Sequence, residues 1–490
     1  MMKREHLILL YILSLSLYLP FTHIQVICQN NERASIDYII KVNDEGNAKI
    51  SITIRTENTT FHGWIFVPRY VKYRIMGSKF KIISVNESYF LFYYNLSFFL
   101  SENATLTVSW TMPYASIIVG ENAFFLSPPI NVLPKAKMKI SVSLIGVSIH
   151  YVDPITKHIK RDYDNITVSY YRLIPGDIFR ISIEYSVKDK DIDEYTWHLP
   201  KGTLLIVHSP AYYEDLSTRI YNIYRKVYPI LSDVINVNVS LIEVMFFSPQ
   251  HDNVNILGYI SLEDSDSPQV IMINPFWIRS LKGAIEQGAV HELVHLLLFN
   301  KGLSASRFLW LHEGLAEYLS LTLLIKFNET REWCETKIRE YESLNLTGNY
   351  LSLLLSWSPS QVIQPSLYGY AYLLIKSLTE DNITKLKEFF SLTPNFKEVT
   401  RNEEILALLS VAGMNLTVLK DVGSQINWTL VEYHKQYYIN YITRNVRIHP
   451  SLNHTQAPYL IPLAIVICAM LLIIAIICLT IFLMRKINMQ

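Results

Sequence analysis

The stretch His291-Glu-Leu-Val-His295, followed by Trp310-Leu-His-Glu-Gly-Leu-Ala-Glu-Tyr318, decides how the rest of the chain is read. A helix turns once every ~3.6 residues, so His291 and His295 project from one face. Two neutral imidazoles on one face can hold one divalent metal, and Glu292 can reach a water on it. Glu313 and Glu317 repeat the i, i+4 spacing in a second apolar-periodic segment. The 17 residues from Leu296 to His312 let the chain reverse and bring that second helix alongside the first. Two such helices supply two histidines, one carboxylate ligand, a base and an outer carboxylate, the inventory of a catalytic zinc site with one open position.

Roles follow from ligand chemistry. His291 and His295 ligate through neutral nitrogen and Glu313 through one carboxylate oxygen, with one Zn(2+) per catalytic domain as the expected cofactor. A water takes the fourth position, and Glu292 accepts its proton during attack on a carbonyl and passes it to the leaving amine. Glu317, one turn beyond Glu313, is expected as an outer partner to a histidine N–H. The reverse assignment, Glu317 as ligand, leaves Glu313 pointing inward without a partner. Gly314 suits a close helix–helix approach. His312 faces about 100° away from Glu313, which predicts a surface or substrate-side position.

Outward from this centre, the α/β lobe is expected over 201–330. Leu204-Leu-Ile-Val207, Leu241 to Phe247 and Val270-Ile-Met-Ile273 read as strands, and Gly258-Tyr-Ile-Ser261 as an edge strand. Tyr213 to Val234 has helical periodicity. The motif helix runs from Leu281 to Asn300 and stops at Gly302. Residues 331–447 read as a helical lobe broken at Pro359, Pro365 and Pro394. Before Pro200-Lys-Gly202 the dominant period is two, which predicts an all-β sandwich over 29–200. One hairpin joins Asp37–Val42 to Asn47–Arg55. A second is expected to join Asn165–Tyr171, through Pro175-Gly-Asp177, to Ile178–Tyr185. The aromatic run Tyr89 to Phe99 reads as strand core and sheet face. Nothing in this domain offers chemistry.

The two ends of the 490-residue chain are apolar. A basic start and a short apolar run over 1–28 read as a signal peptide, with an uncleaved anchor as the second reading. Residues 459–484 are long and uncharged enough for one transmembrane helix, behind a polar tether at 448–458 and ahead of a tail at 485–490 that begins Arg485-Lys486. The expected placement is therefore single-pass in the cell membrane, with the catalytic domains extracellular and the C-terminus cytoplasmic. The lipid bilayer becomes a partner through the C-terminal helix. Sequons at Asn58, Asn86, Asn95, Asn103, Asn165, Asn238, Asn328, Asn345, Asn382, Asn415, Asn427 and Asn453 all lie between the two apolar ends and predict N-linked glycans. Of Cys28, Cys334, Cys468 and Cys478, only Cys334 belongs to the exterior domains, so no disulfide framework is expected. A net charge of +1 argues against nucleic acid as a partner.

HELVH with WLHEGLAEY resembles the gluzincin zinc metallopeptidases, an MA-like group with a thermolysin-like catalytic domain. The likeness is greatest to the aminopeptidase N-like and glycyl aminopeptidase-like branches and spans about Leu204 to Tyr437. The resemblance implies Glu313 as third ligand. It also implies a downstream tyrosine that hydrogen-bonds the tetrahedral oxyanion. In Tyr368-Gly-Tyr-Ala-Tyr-Leu-Leu-Ile-Lys-Ser-Leu378 that is Tyr368, with Ala371 at the family's glycine position, or Tyr370 if the register slips by two. Gly258, Tyr259, Ile260 and Ser261 would pair with the substrate backbone. Two departures stand out. The gap before the third ligand is one residue short of the aminopeptidase branch's. That branch's amine-binding G-x-M-E-N is also absent, so Glu263 or Asp264 is the candidate amine anchor, and the motifs fit exo- and endopeptidase alike. The expected function is a membrane-anchored extracellular zinc metallopeptidase acting on a peptide or protein substrate. The alternative is a catalytically inactive cell-surface glycoprotein that uses the same lobe for binding.

Overall fold

The computed structural model describes residues 33–448, apart from 91, 172, 255, 262–268, 280–281, 359–364 and 394. The signal segment, the apolar segment 459–484 and residues Glu263 and Asp264 lie outside the described residues. Among the described residues, no helix is long and apolar enough to cross a membrane.

Strict alternation builds the first domain. In β1 (Ala34–Val42) and β2 (Ala48–Thr56) every second residue is buried, and the pair forms the expected antiparallel hairpin. They sit in an eight-stranded sheet with β3 (Phe61–Pro68), β4 (Tyr73–Glu87), β5 (Tyr93–Met112), β9 (Ala136–Ile145), β11 (Ile159–Asp162) and β12 (Asn165–Tyr170). β5 is the spine. Its first half pairs with β3 and its second with β2 on one edge, while β4 runs along the other. A second sheet contains β6 (Ser116–Val119), β7 (Asn122–Leu126), β10 (Ser148–Asp153) and β14 (Ser182–Ser186). The short β8 (Ile130–Asn131) and β13 (Ile178–Phe179) pair separately. Phe98, Val108 and Ile140 of the large sheet share one core with Phe125, Ile183 and Tyr185 of the smaller.

The second expected hairpin does not form. β12 pairs with β9 and β11 in the large sheet, whereas β14 pairs with β10 and β7 in the other. Gly176 does turn the chain, with φ of 90°. The chain then crosses between sheets, so that Ile166 and Val168 from one side and Ile181 and Ile183 from the other fill the common core. A hairpin would have left both strands in one sheet.

The second lobe carries a five-stranded sheet in the order β15 (Asp193–His198), β16 (Leu204–Ser209), β17 (Leu241–Phe246), β19 (Val270–Ile273) and β18 (Gly258–Ser261). β16, β17 and β19 are parallel, and the two edge strands run antiparallel to them. β15 precedes the Pro200–Gly202 turn and pairs with β16 beyond it. Helices α1 (Glu214–Ile235) and α2 (Ala284–Asn300) pack with this sheet. There follow α3 (Leu309–Leu324), α4 (Asn328–Glu342), α5 (Gly348–Leu355), α6 (Pro365–Thr379), α7 (Thr384–Ser391), α8 (Asn402–Val411) and α9 (Trp428–Ile448). Pro365 opens α6, where its missing N–H has no partner to lose.

The two domains are joined by specific contacts. The Tyr213 hydroxyl accepts from Ile118 N, and the Tyr212 hydroxyl donates to Ile118 O. Phe92, in the aromatic run before β5, packs against the core of the second lobe.

Candidate metal centre

Helix α2 is buried on every side from Ala284 to Leu298. A helix apolar all round belongs in a core. Its polar residues Glu286, Gln287, His291, Glu292 and His295 are buried with it, so each needs a partner. Glu286 finds Arg219 at 2.7 Å and caps the helix by accepting from Gly283 N. The others gather around one point.

His291 Nε2 and His295 Nε2 lie 3.0 Å apart. Glu313 Oε2, from α3, lies 3.2 Å from the first and 3.3 Å from the second. These three atoms form a nearly equilateral triangle. A regular tetrahedron with zinc–ligand bonds of ~2.0–2.1 Å has edges of about 3.3–3.4 Å, so the triangle is close to one face of such a site. Two nitrogens and one carboxylate oxygen are also the donor types that zinc takes. The residues present fit the metal.

Charge follows the same geometry. Burial works against the His291 cation, but the hydrogen bond to Glu313 and the charges of Glu317, Glu313 and Glu292 outweigh it and push the group up to about 9 in the metal-free chain. Burial raises Glu313, yet the histidines beside it hold the carboxyl far below its ordinary value. Glu292 is pushed up, first by burial, with His295 and His291 opposing. Glu317 is also raised by burial. Its Oε1 lies 3.5 Å from His291 Nδ1, in ion-pair range though longer than a well-formed hydrogen bond. Gln287 Nε2 holds the other oxygen of Glu317 at 3.2 Å.

The neighbouring elements arrive by close approach. A Cβ on Gly314 would lie 2.7 Å from Ile375 Cγ1 and 2.8 Å from Ala371 O, so glycine lets α3 meet α6. Helix α6 carries Tyr368, whose ring centre is 6.4 Å from that of His291 and which stands edge-on to Trp357. Burial raises the Tyr368 hydroxyl, and Glu313, Glu317 and Glu292 raise it further, so it stays protonated as a donor. Tyr370 instead stacks on Tyr350 at 4.0 Å. Gly258 opens the edge strand β18 directly against Glu292; a Cβ there would lie 2.9 Å from Glu292 Cγ. Tyr259, Ile260 and Ser261 continue that edge, which among the described residues pairs with β19 alone.

His312 is placed otherwise than its spacing predicted. It is fully buried, with Nδ1 2.8 Å from His295 Nδ1 and Nε2 2.9 Å from Leu303 O. Burial first, then His295, pulls it down to about 3, so the ring is neutral. It faces about 100° from Glu313 as expected. That direction points into the α2–α3 contact, because α3 is surrounded by core over most of its length.

No protein-family model matches the chain, and no curated protein matches it. Among solved structures, a two-domain M1 zinc metallopeptidase mutant bound to the amino acid L-tryptophan aligns with a TM-score of 0.30 and 12% identity. The alignment covers 84% of this chain and 95% of that one. A likeness at that level carries nothing over to the site.

Proposed function

We propose that the chain is a zinc metallopeptidase of gluzincin type, hydrolysing peptide bonds of a peptide or protein substrate. The carrying observation is the 3.0–3.3 Å triangle of His291 Nε2, His295 Nε2 and Glu313 Oε2, with the buried Glu292 beside His291 in the same helix. Zinc, when bound, supplies a Lewis acid that acidifies water and polarises a carbonyl. Glu292 is the general base; its raised proton affinity suits a group that takes a proton and returns it to the leaving amine. The Tyr368 hydroxyl, held protonated, hydrogen-bonds the developing oxyanion. The half-paired edge Gly258–Ser261 accommodates an extended substrate backbone as one more strand.

The same reading places the two domains outside the cell, on a membrane helix at 459–484, and decorated with N-linked glycans. Nine of the eleven described sequon asparagines are exposed, which suits glycan attachment; Asn95 and Asn415 are half-buried.

The test is cleavage of a peptide library by the purified chain. Chelator-sensitive cleavage that Glu292→Gln abolishes, with zinc retained, is the expected result. Cleavage untouched in Glu292→Gln sinks the assigned mechanism. Zinc binding without cleavage favours the inactive binding glycoprotein. The ends of the products separate exo- from endopeptidase action.

A further inference from the structure

We propose that His312 is a positioning residue that sets the tautomer of His295, through a relay running Leu303 C=O, His312, His295. The inference rests on the metal-site reading above, but the relay is a property of the protein's own hydrogen bonds.

The relay starts at a backbone turn. Helix α2 ends in a Schellman motif: Leu303 N donates to Leu298 O at 3.0 Å and Gly302 N to Phe299 O at 2.9 Å, with Gly302 at φ of 84°. The turn holds the Leu303 carbonyl 2.9 Å from His312 Nε2. A carbonyl only accepts, so His312 Nε2 carries a hydrogen. The His312 ring is fully buried, and its other nitrogen faces His295 rather than a carboxylate. A neutral ring protonated at Nε2 presents a lone pair at Nδ1. That lone pair is 2.8 Å from His295 Nδ1, which must therefore carry the hydrogen of the pair. His295 Nε2 is left as a lone pair, and this is the atom in the triangle with His291 and Glu313. With the opposite tautomer, a hydrogen on His295 Nε2 would point into the triangle and block ligation.

Packing keeps the relay in line. His312 is nearly parallel to His295, with ring centres 5.1 Å apart and planes 14° apart, and the Phe299 ring, tilted by 43°, has its centre 4.8 Å from that of His312. His295 Nδ1 thus has a hydrogen-bond partner at 2.8 Å, whereas His291 Nδ1 has only the Glu317 carboxylate at 3.5 Å. A histidine acceptor has one lone pair in the ring plane, so it fixes ring direction as well as tautomer.

The experiment uses the full chain labelled with nitrogen-15 at histidine, metal-free, at one pH near neutrality, followed by zinc titration against a chromophoric chelator. Three proteins are compared: wild type, His312→Phe, which keeps a ring and removes the acceptor, and His312→Asn, whose amide oxygen can accept from His295. The wild type is expected to show His295 as the Nδ1–H tautomer before any metal is added. His312→Phe is expected to mix the tautomers and weaken zinc binding about 10- to 100-fold, and His312→Asn to restore most of the loss. An Nε2–H tautomer in the metal-free wild type overturns the relay. So does zinc affinity in a folded His312→Phe equal to wild type. If His312→Phe fails to fold, the wild-type tautomer and the His312→Asn affinity still decide. If the wild type shows the Nδ1–H tautomer and takes up no zinc, the relay stands and the peptidase reading fails.

Discussion

A single methyl group on Gly258 tests whether the edge strand positions Glu292, the proposed general base. The Cβ of Gly258→Ala would lie 2.7 Å from Met272 O, 2.9 Å from Glu292 Cγ and 3.3 Å from Glu292 Oε1. Comfortable carbon contacts are ~3.5–4.0 Å, so roughly 0.6–1 Å must be found. Met272 O belongs to β19, in register with β18 through Tyr259↔Met272, and moving it disturbs the sheet edge. Glu292 can swing, and doing so takes the carboxylate off its line to the reacting atoms. Overpacking of this kind costs about 1–3 kcal/mol of stability, and a displacement near 1 Å costs catalysis up to about 100-fold. The methyl's nearest contacts include none of the three ligand atoms. Measured on a cleaved peptide, kcat should fall about 10- to 100-fold while zinc content stays at one per chain. Wild-type kcat in a zinc-loaded Gly258→Ala protein refutes the reasoning, because the strand would then be free to move without the base.

Three further outcomes follow from the same geometry. Gly314→Ala pushes against Ala371 O and Ile375 and should lower stability by about 1–3 kcal/mol in urea unfolding; an unchanged midpoint means that α3 and α6 can separate freely. Tyr368→Phe should lower kcat about 100- to 1000-fold with KM and zinc content near wild type, and equal kcat removes Tyr368 from the oxyanion role. In the metal-free chain His291 is raised from its ordinary 6.5 to about 9, so it contributes stability fully present below pH 6.5 and lost as pH climbs to 9. Thermal unfolding of chelator-treated protein should lose roughly 2–4 kcal/mol across that window, and a flat profile rules out the His291–Glu313 pairing that raises it.

Much of the architecture could be read from periodicity because burial is one-sided there. The alternation in β1 and β2 and the Asp44-Glu-Gly46 turn leave few other pairings, and the structure has that hairpin. The segment 165–185 reads equally well as a hairpin, since alternation and a Pro-Gly turn are all that local sequence can report. Which sheet each strand joins depends on what lies opposite Ile166 and Ile183 across the core, and that is a tertiary fact. β15 is similar: Asp193–His198 alternates like the strands before it, and only its pairing with β16 places it in the second lobe.

The centre divides in the same way. His291 and His295 share a helix, so their separation is set by helical geometry, and Glu313 follows once a second helix is granted. Tyr368 could be placed only by resemblance, since nothing in the 76 residues between it and His291 fixes where α6 meets α3. His312 was legible in direction and misread in meaning. A residue about 100° from a ligand on an exposed helix faces solvent; on α3, buried almost all round, the same angle faces α2. The signal that distinguishes the cases is composition: of the Asp, Glu, Lys, Arg and His side chains, Leu309–Leu324 carries three, His312, Glu313 and Glu317, among mostly apolar residues. In such a helix none of the three can be solvated cheaply, so each should be assigned a partner before any is assigned to the surface. Applied to His312, that reasoning leaves His295, one α-helix away, as the group that needs it.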